Sequence, residues 1–221
     1  MIYEILNKKN MNFKNAQEAF EHYYNLISET GVDFDSTKTL FNQGFTILNP
    51  LDNNINTNYR DWNHKYADRE WNWYLSGNPN AEEISKHAPI WKKMMDSNGN
   101  VRSNYGWQWQ RSYQLDTVIA KLKNNNKTRQ AAISIYDGKE INTYTKDTPC
   151  TYAVQFTIYD NKLNMAVMMR SNDLWYGFCN DQYCFSKLQE LVSNEINIEI
   201  GEYYHFAHNL HVDNNFLNKN K

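Results

Sequence analysis

The chain has 221 residues, 41% of them hydrophobic and 15% aromatic, and its 23 basic and 25 acidic side chains leave a formal charge of −2. This composition is typical of one globular domain with a sizeable core, and the near-neutral balance excludes a protein that coats nucleic acid or other polyanions. No run is apolar enough to span a membrane, and the first ten residues lack the apolar region of a secretory signal, so the sequence predicts a cytoplasmic protein.

The first part of the chain has the residue spacing of helices. Between residues 15 and 30 apolar side chains recur every three or four positions, and Gly31 follows as a C-cap. A second helix is predicted over 66–75. A third is predicted over 78–95, with a kink or restart at Pro89, because proline cannot donate the backbone hydrogen bond that a helix interior needs.

From residue 131 onwards β-branched and aromatic residues predict a sheet. The expected strands are 131–136, 151–159, 163–170 and 202–208, and a helix is expected over 181–191. A tight hairpin turn is predicted at 160–161. The expected fold class is therefore α+β, a single domain over 1–221 in which helices flank a mixed or antiparallel sheet, with a polar tail over 214–221.

Histidines and cysteines raise the question of a metal site. On a strand His205 and His211 would share one face and His208 the other, and no set at zinc-ligand spacing completes them, so no metal is predicted. Three cysteines without an export signal predict free thiols. Cys179 and Cys184 are interpreted as small packed side chains.

Cys150 has neighbours that indicate chemistry. It follows Pro149 at the start of one predicted strand, and Arg170 ends the strand that pairs with it. Because the ends of two hairpin strands lie side by side, the thiol and the guanidinium are expected to face one cleft. A neighbouring cation lowers a thiol pKa and also binds an anionic substrate.

Several motifs resemble, in chain order, those of the thymidylate synthase superfamily. They are Arg-Glu-Trp-Asn-Trp-Tyr at 69–74, Ile-Trp at 90–91, Asn-Tyr-Gly-Trp at 104–107, Pro-Cys at 149–150, Gln-Phe at 155–156, Arg-Ser-Asn-Asp at 170–173, Gly-Phe-Cys-Asn-Asp at 177–181 and Asn-Leu-His-Val at 209–212. The resemblance covers 68–215, about two thirds of the chain, whereas the N-terminal 60 residues show no clear match. It implies a thymidylate-synthase-like fold.

The resemblance implies a role for each matched residue. Cys150 would add to C6 of a pyrimidine nucleotide, while Glu70 would handle protons and order water. The implied nucleotide-binding residues are Arg129, Arg170, Ser171, Asp173, Tyr105 and His211. The implied residues for the co-substrate 5,10-methylenetetrahydrofolate are Trp91, Asp173, Tyr176 and Gly177. A homodimer is also implied, in which Arg129 reaches the partner's phosphate.

One position is expected to select the base. Eight residues after Asp173, where the synthases have an asparagine, this chain has Asp181. An amide donates and accepts, which matches N3–H and O4 of uracil, whereas a carboxylate only accepts and suits the exocyclic amine of cytosine. This context resembles that of phage deoxycytidylate hydroxymethylases. A register shift of one residue would put Asn180 there and favour uracil.

The resemblance therefore implies transfer of a one-carbon unit to C5 of dCMP, completed by water to give 5-hydroxymethyl-dCMP, with Asp181 as a third catalytic residue beside Cys150 and Glu70. Two alternatives stay open: a hydroxymethylase or methylase that acts on dUMP, and a nucleotide-binding relative without turnover. The chain departs from the family pattern at Asp213, where a tyrosine usually contacts the sugar, and at Lys92, where the synthases have an acidic residue.

Overall fold

The computed structural model describes residues 11–217, and its centre is an eight-stranded mixed sheet. The strands are β1 (Met11–Phe13), β2 (Val32–Phe34), β3 (Thr37–Ile47), β4 (Ala132–Ser134), β5 (Thr151–Tyr159), β6 (Lys162–Met169), β7 (Asn172–Asp173) and β8 (Glu199–Asp213). They are ordered β1-β3-β8-β6-β5-β4 along the sheet, while β2 pairs with β3 and β7 with β8. The predicted fold class, a mixed sheet with flanking helices, is confirmed.

Six α-helices accompany the sheet over the described range. They are α1 (Ala16–Thr30), α2 (His64–Leu75), α3 (Ile90–Met94), α4 (Tyr105–Gln110), α5 (Gln114–Asn124) and α6 (Cys179–Ile196). Helix α1 begins as the sequence predicts, because the side chain of Asn15 accepts a hydrogen bond from Glu18 N at 2.9 Å and so satisfies one of the free amides of the first turn. Its apolar stripe, which includes Phe20, Tyr23 and Ile27, is fully buried.

The second half of the chain builds the part of the sheet that carries the site. Strands β5 and β6 form an antiparallel hairpin whose turn residues, Asp160 and Asn161, have φ angles of 51° and 56°. Strand β8 runs parallel to β6. Parallel neighbours need a crossover, which α6 provides, and its Leu188 and Val192 are fully buried.

The single helix predicted over 78–95 is wrong, but the helix restart predicted at Pro89 is confirmed. This stretch contains a 3₁₀ turn at Ile84–Lys86 and the short helix α3, which starts directly after Pro89. Ahead of them the side chain of Asn78 accepts from Asn80 N at 3.0 Å and that of Asn80 accepts from Glu82 N at 3.1 Å. Such local side-chain bonds give the backbone an alternative to the helix, and Pro89 prevents its continuation.

The three histidines of β8 have different environments. Odd-numbered residues from Gly201 to Ala207 are buried, but beyond His208 the buried residues are Leu210 and Val212, so the burial alternation changes phase. His205 consequently lies in the core and His211 does not. Among residues 11–217 no group of three or more His, Cys, Asp or Glu side chains is placed to hold a metal ion.

The three cysteines, all within residues 11–217, form no disulfide with one another. Cys150, Cys179 and Cys184 are free thiols, and the last two are fully buried, as the sequence indicates for small packed side chains. No helix within the described residues is both long and apolar enough to cross a membrane.

Candidate active site

An open cavity of about 420 Å³ lies where β5 begins and β6 ends. This volume is in the range of small-molecule sites. The predicted site residues that line it are Glu70, Trp91, Tyr105, Cys150, Arg170, Ser171, Asp173, Tyr176, Gly177 and Asp181. Arg129 and His211 do not line it. Residues from five separate stretches of the chain, which the sequence connects only through the order of the motifs, therefore meet in one cavity.

Cys150 and Arg170 are neighbours across the β5–β6 hairpin. Arg170 N donates to Cys150 O at 2.8 Å, and Arg170 Nη2 lies 3.5 Å from the Cys150 sulfur. The guanidinium also donates from Nε to Pro149 O at 3.0 Å and from Nη2 to Thr148 O at 2.8 Å. Its Nη1 makes no hydrogen bond to residues 11–217, which leaves one donor for an anionic ligand.

The pKa of the Cys150 thiol differs from the sequence-based expectation. Burial raises this pKa to about 11, and Arg170 opposes the shift. The carboxylates of Asp181, Asp147 and Asp173 add to the upward shift because they disfavour a nearby thiolate. The expected cation is therefore in place, but desolvation and three acidic neighbours outweigh it.

Asp181 and Asn180 open α6 and have separate partners. Asp181 Oδ2 accepts from Asn172 Nδ2 at 2.7 Å, whereas Asn180 Oδ1 accepts from Trp62 Nε1 at 2.9 Å. Burial raises the pKa of Asp181 well above its usual value, and the charge of Glu70 raises it further. Both residues line the cavity, and the charges of Glu70 and Asp173 both raise the pKa of Asp181.

Glu70 lies on a stripe of α2 that also carries Tyr66 and Tyr74. These residues are four apart, so they stack along one helix face. Tyr74 donates its hydroxyl to Glu70 Oε1 at 2.9 Å, and Trp91 Nε1 donates to the Tyr66 hydroxyl at 2.8 Å. Burial raises the pKa of Glu70 to about 7, and the hydroxyl groups of Tyr74 and Tyr66 oppose this shift.

Asp173 shapes one wall of the cavity. Its carboxylate accepts from the backbone N–H groups of Trp175 at 3.0 Å and Tyr176 at 3.2 Å, and so caps a π-helical turn at Leu174–Phe178. The Arg60 guanidinium carbon lies 5.3 Å from the ring centroid of Trp175 and 5.3 Å from that of Tyr176, a cation–π arrangement. The turn presents Tyr176, which is 51% exposed, beside the cavity.

Two predicted nucleotide-binding residues lie outside the cavity. His211 pairs with Asp173 across β7 and β8, and its Nδ1 is 2.9 Å from Asn209 Oδ1. Arg129 is exposed in the loop that follows α5. His211 thus lies on the strand next to Asp173, which lines the cavity, whereas Arg129 does not reach the cavity of its own chain.

Comparison with known proteins adds to this geometry. The family model described as thymidylate synthase matches residues 24–221. The chain belongs to the thymidylate synthase family. The resemblance of its ordered motifs to this family is thereby confirmed, and the match extends to residues well before the first of those motifs.

Curated relatives within the thymidylate synthase family carry different names. The deoxycytidylate 5-hydroxymethyltransferase of Enterobacteria phage T4 is 38% identical over 143 residues, 60% of this chain and 57% of that protein. The deoxyuridylate hydroxymethyltransferase of Pseudomonas phage M6 is 29% identical over 217 residues, 93% of this chain and 62% of that protein. The thymidylate synthase of Bacillus mojavensis is 26% identical over 160 residues, which are 68% of this chain and 57% of that protein. The chain therefore spans only about 57 to 62% of these relatives.

A solved structure of the family shares the fold. The thermostable thymidylate synthase A from Bacillus subtilis superposes with a TM-score of 0.74 at 21% sequence identity, over 89% of this chain and 79% of that chain. The thymidylate-synthase-like fold expected from the sequence is confirmed by this similarity.

Sequence reasoning did not single out several residues of the cavity lining, among them Tyr66, Asp147 and Asn172. Tyr66 follows from the four-residue spacing with Glu70, a signal that was present in the sequence. Asp147 accepts from Ser103 N at 2.7 Å and from Ser103 Oγ at 2.6 Å, a contact between residues 44 apart that no local pattern indicates. Asn172 was read only as the variable position of its motif.

Replacing Glu70 with glutamine is expected to change how stability depends on pH. In the folded protein Glu70 keeps its proton up to about pH 7, but in the unfolded chain it loses it near 4.5. The contribution of Glu70 to the free energy of unfolding is therefore largest below pH 4.5. It decreases as the pH rises from 4.5 through 7, by a total of about 3 kcal/mol.

The measurement is the free energy of unfolding by urea at several pH values. The wild-type value minus that of Glu70→Gln should fall between pH 4.5 and 7 and level off above. A difference that stays constant across this window would show that the pKa of Glu70 is not raised.

Proposed function

We propose that this chain is a one-carbon transferase that converts dCMP to 5-hydroxymethyl-dCMP, with 5,10-methylenetetrahydrofolate as co-substrate. The observation that carries the proposal is that Cys150, Arg170 and Asp181 line one cavity. They supply a nucleophile, a hydrogen-bond donor to the phosphate and a hydrogen-bond acceptor for an exocyclic amine. Arg170 would bind the 5′-phosphate through its free Nη1, together with Ser171, by charge-assisted hydrogen bonds.

Cys150 begins the reaction by adding to C6 of the pyrimidine ring. As the sulfur–carbon bond forms, an electron pair moves to C5 and the N3 side of the ring takes up a proton. Asp181 accepts a hydrogen bond from the protonated base and so stabilises it. The thiol loses its proton as the bond forms and the N3 side of the ring gains one, so the step moves one proton from sulfur to the ring and needs no free thiolate beforehand, although the pKa of Cys150 is raised.

Part of the cavity lining suits a flat heterocycle. The lining includes the apolar and aromatic side chains of Ile90, Trp91, Met94 and Tyr176, which favour stacking of a pterin ring. The folate supplies the carbon that C5 attacks. Tyr66 accepts a hydrogen bond from the Trp91 indole and so fixes the orientation of this ring.

Glu70 completes the chemistry as a proton carrier. Glu70 takes the C5 proton and passes it to the folate nitrogen as the bond from that nitrogen to the transferred carbon breaks, which releases tetrahydrofolate. The ring then carries an exocyclic methylene group, and the oxygen of a water molecule adds to it. The water's proton goes to Glu70, whose pKa of about 7 suits acceptance and donation near neutral pH. The electron pair of the methylene double bond moves to C5 and re-forms the C5–C6 double bond, so the C6–S bond breaks with its electron pair on sulfur. The sulfur takes the proton that Glu70 accepted from water, which frees Cys150 as a thiol.

The proposal is tested by incubating the protein with dCMP and methylenetetrahydrofolate and identifying the product by mass. A hydroxymethyl nucleotide is expected. A methyl product would indicate hydride transfer instead of water addition, and no product from folded protein that binds dCMP would leave a nucleotide-binding protein without turnover.

A second candidate is hydroxymethylation of dUMP. It is favoured by the similarity to the Pseudomonas phage M6 deoxyuridylate hydroxymethyltransferase, which extends over 93% of this chain. Against it stands the carboxylate of Asp181 at the cavity wall, which would face O4 of uracil with lone pairs on both sides. Asn180, the amide that could read uracil, is bonded to Trp62.

We also propose that the protein is cytoplasmic and forms a homodimer. In this dimer Arg129 of each subunit binds the phosphate of the nucleotide in the partner's site. An equimolar mixture of the inactive variants Arg129→Ala and Cys150→Ala is then expected to regain about a quarter of wild-type activity, since half the dimers are mixed and one site in each is intact. Activity is measured after subunit exchange, with each variant alone as control. A mixture as inactive as its components would contradict the shared site.

A further inference from the structure

Asn172 is almost fully buried at the floor of the active site, yet its side chain is only partly bonded. It is 2% exposed, its Nδ2 donates to Asp181 Oδ2 at 2.7 Å, and its Oδ1 has no hydrogen-bond partner within residues 11–217. A buried amide with an unbonded oxygen costs stability, so the fold alone gives no reason for an asparagine here. The one bond it makes is directed at Asp181.

Two rigid elements hold this bond in place. Asn172 pairs with Leu210 in the β7–β8 ladder, and Asp181 lies in the first turns of α6. Gly177 closes over the pair: a Cβ at this position would lie 3.0 Å from Asn172 Nδ2 and 3.4 Å from Asp181 Oδ2. Glycine therefore allows the backbone to pack directly against the hydrogen bond.

The hydrogen bond from Asn172 also gives the two carboxylate oxygens of Asp181 different roles. Oδ2 is occupied by Asn172, whereas Oδ1 makes no hydrogen bond to the described residues and Asp181 lines the cavity. Glu70 and Asp173 are the charged groups that act on Asp181, and both favour its protonation. Asn172 is the side-chain donor that favours the ionised form.

We propose that Asn172 is a positioning residue for base selection, which holds the Asp181 carboxylate so that its second oxygen serves as the acceptor for the exocyclic amine of a cytosine nucleotide. This inference rests on the proposed function. Without the donor, Asp181 would lose its fixed orientation and gain a proton more readily, and a protonated carboxyl donates and accepts like the amide that suits uracil. Removal of Asn172 would thus weaken discrimination rather than simply weaken binding.

The test combines titration of Asp181 with nucleotide binding in Asn172→Ala, Asn172→Ser and Asn172→Asp. Carbon-13 NMR of protein labelled at aspartate carboxyls follows Asp181, whose signal is assigned by its loss in Asp181→Asn. The pKa of Asp181 is expected to rise in the alanine and aspartate variants and to return part of the way in the serine variant, which keeps a donor. Asn180→Ala is the matched control, because its bond goes to Trp62, and should leave this titration unchanged.

Binding of dCMP should weaken about tenfold to a hundredfold in Asn172→Ala, with a much smaller change for dUMP. Equal weakening of both nucleotides, or an unchanged Asp181 titration in every folded Asn172 variant, would overturn the role of Asn172. A wild-type protein that does not prefer dCMP would overturn the proposed function instead, and the Asp181 titration would still decide whether Asn172 controls that carboxylate.

Discussion

Replacing Cys150 with alanine is expected to abolish turnover of dCMP, by a factor on the order of 10⁴ or more, because no other group can form the bond to C6. Binding of dCMP should persist, since Arg170 and Asp181, the proposed partners of the phosphate and of the base, remain. The loss is measured as the rate of product formation, and binding is measured by calorimetry.

Cys184→Ala is the matched control for this variant. Cys184 is a free thiol, 1% exposed and outside the cavity lining, so its removal should cost about 1 kcal/mol of stability and leave turnover intact. Substantial turnover by Cys150→Ala, with Cys184→Ala unchanged, would contradict covalent catalysis at this site.

Replacing Asp181 with asparagine is expected to invert the base preference. The amide would donate to O4 and accept from N3–H of uracil, whereas it would lose the anionic partner that holds a protonated cytosine. The ratio of kcat/KM for dCMP to that for dUMP should fall on the order of a thousandfold, because a site built around a buried polar contact strongly rejects the base that leaves it unpaired.

The comparison variant for this prediction is Asn180→Ala. In the wild type the Asn180 amide oxygen accepts a hydrogen bond from Trp62. Its removal is therefore expected to leave the ratio of dCMP to dUMP turnover unchanged even if the absolute rates fall. A ratio that changes in Asn180→Ala but not in Asp181→Asn would place the base reader one residue earlier and favour the dUMP reaction.

Local sequence patterns predicted the parts of the site that depend on adjacent elements. The hairpin of β5 and β6 brings Cys150 and Arg170 together because its turn fixes the register, and both the turn and the strands have clear residue preferences. The thiol pKa could not be predicted in the same way. It depends on burial and on Asp147, Asp173 and Asp181, whose distances to the sulfur are set by tertiary packing.

Other features required the whole fold. Strand β3 was not predicted, although it lies between β1 and β8 in the sheet, because its residues lack a regular apolar alternation. The change of phase along β8 separates His205 from His211, and strict alternation would have kept them on one face. The predicted helix over 78–95 failed because local asparagine turns compete with helical hydrogen bonds.

Release of tritium from dCMP and, in parallel, from dUMP, each labelled at C5, with methylenetetrahydrofolate present, reports on both the proposed nucleophile and the base preference. Loss of the C5 proton requires both the Cys150 adduct and attack by C5, and the choice of base reports on Asp181. The account predicts rapid release from dCMP, with a hydroxymethyl product, and far slower release from dUMP. Release from dUMP alone, or no release from either by folded protein that binds dCMP, would contradict it.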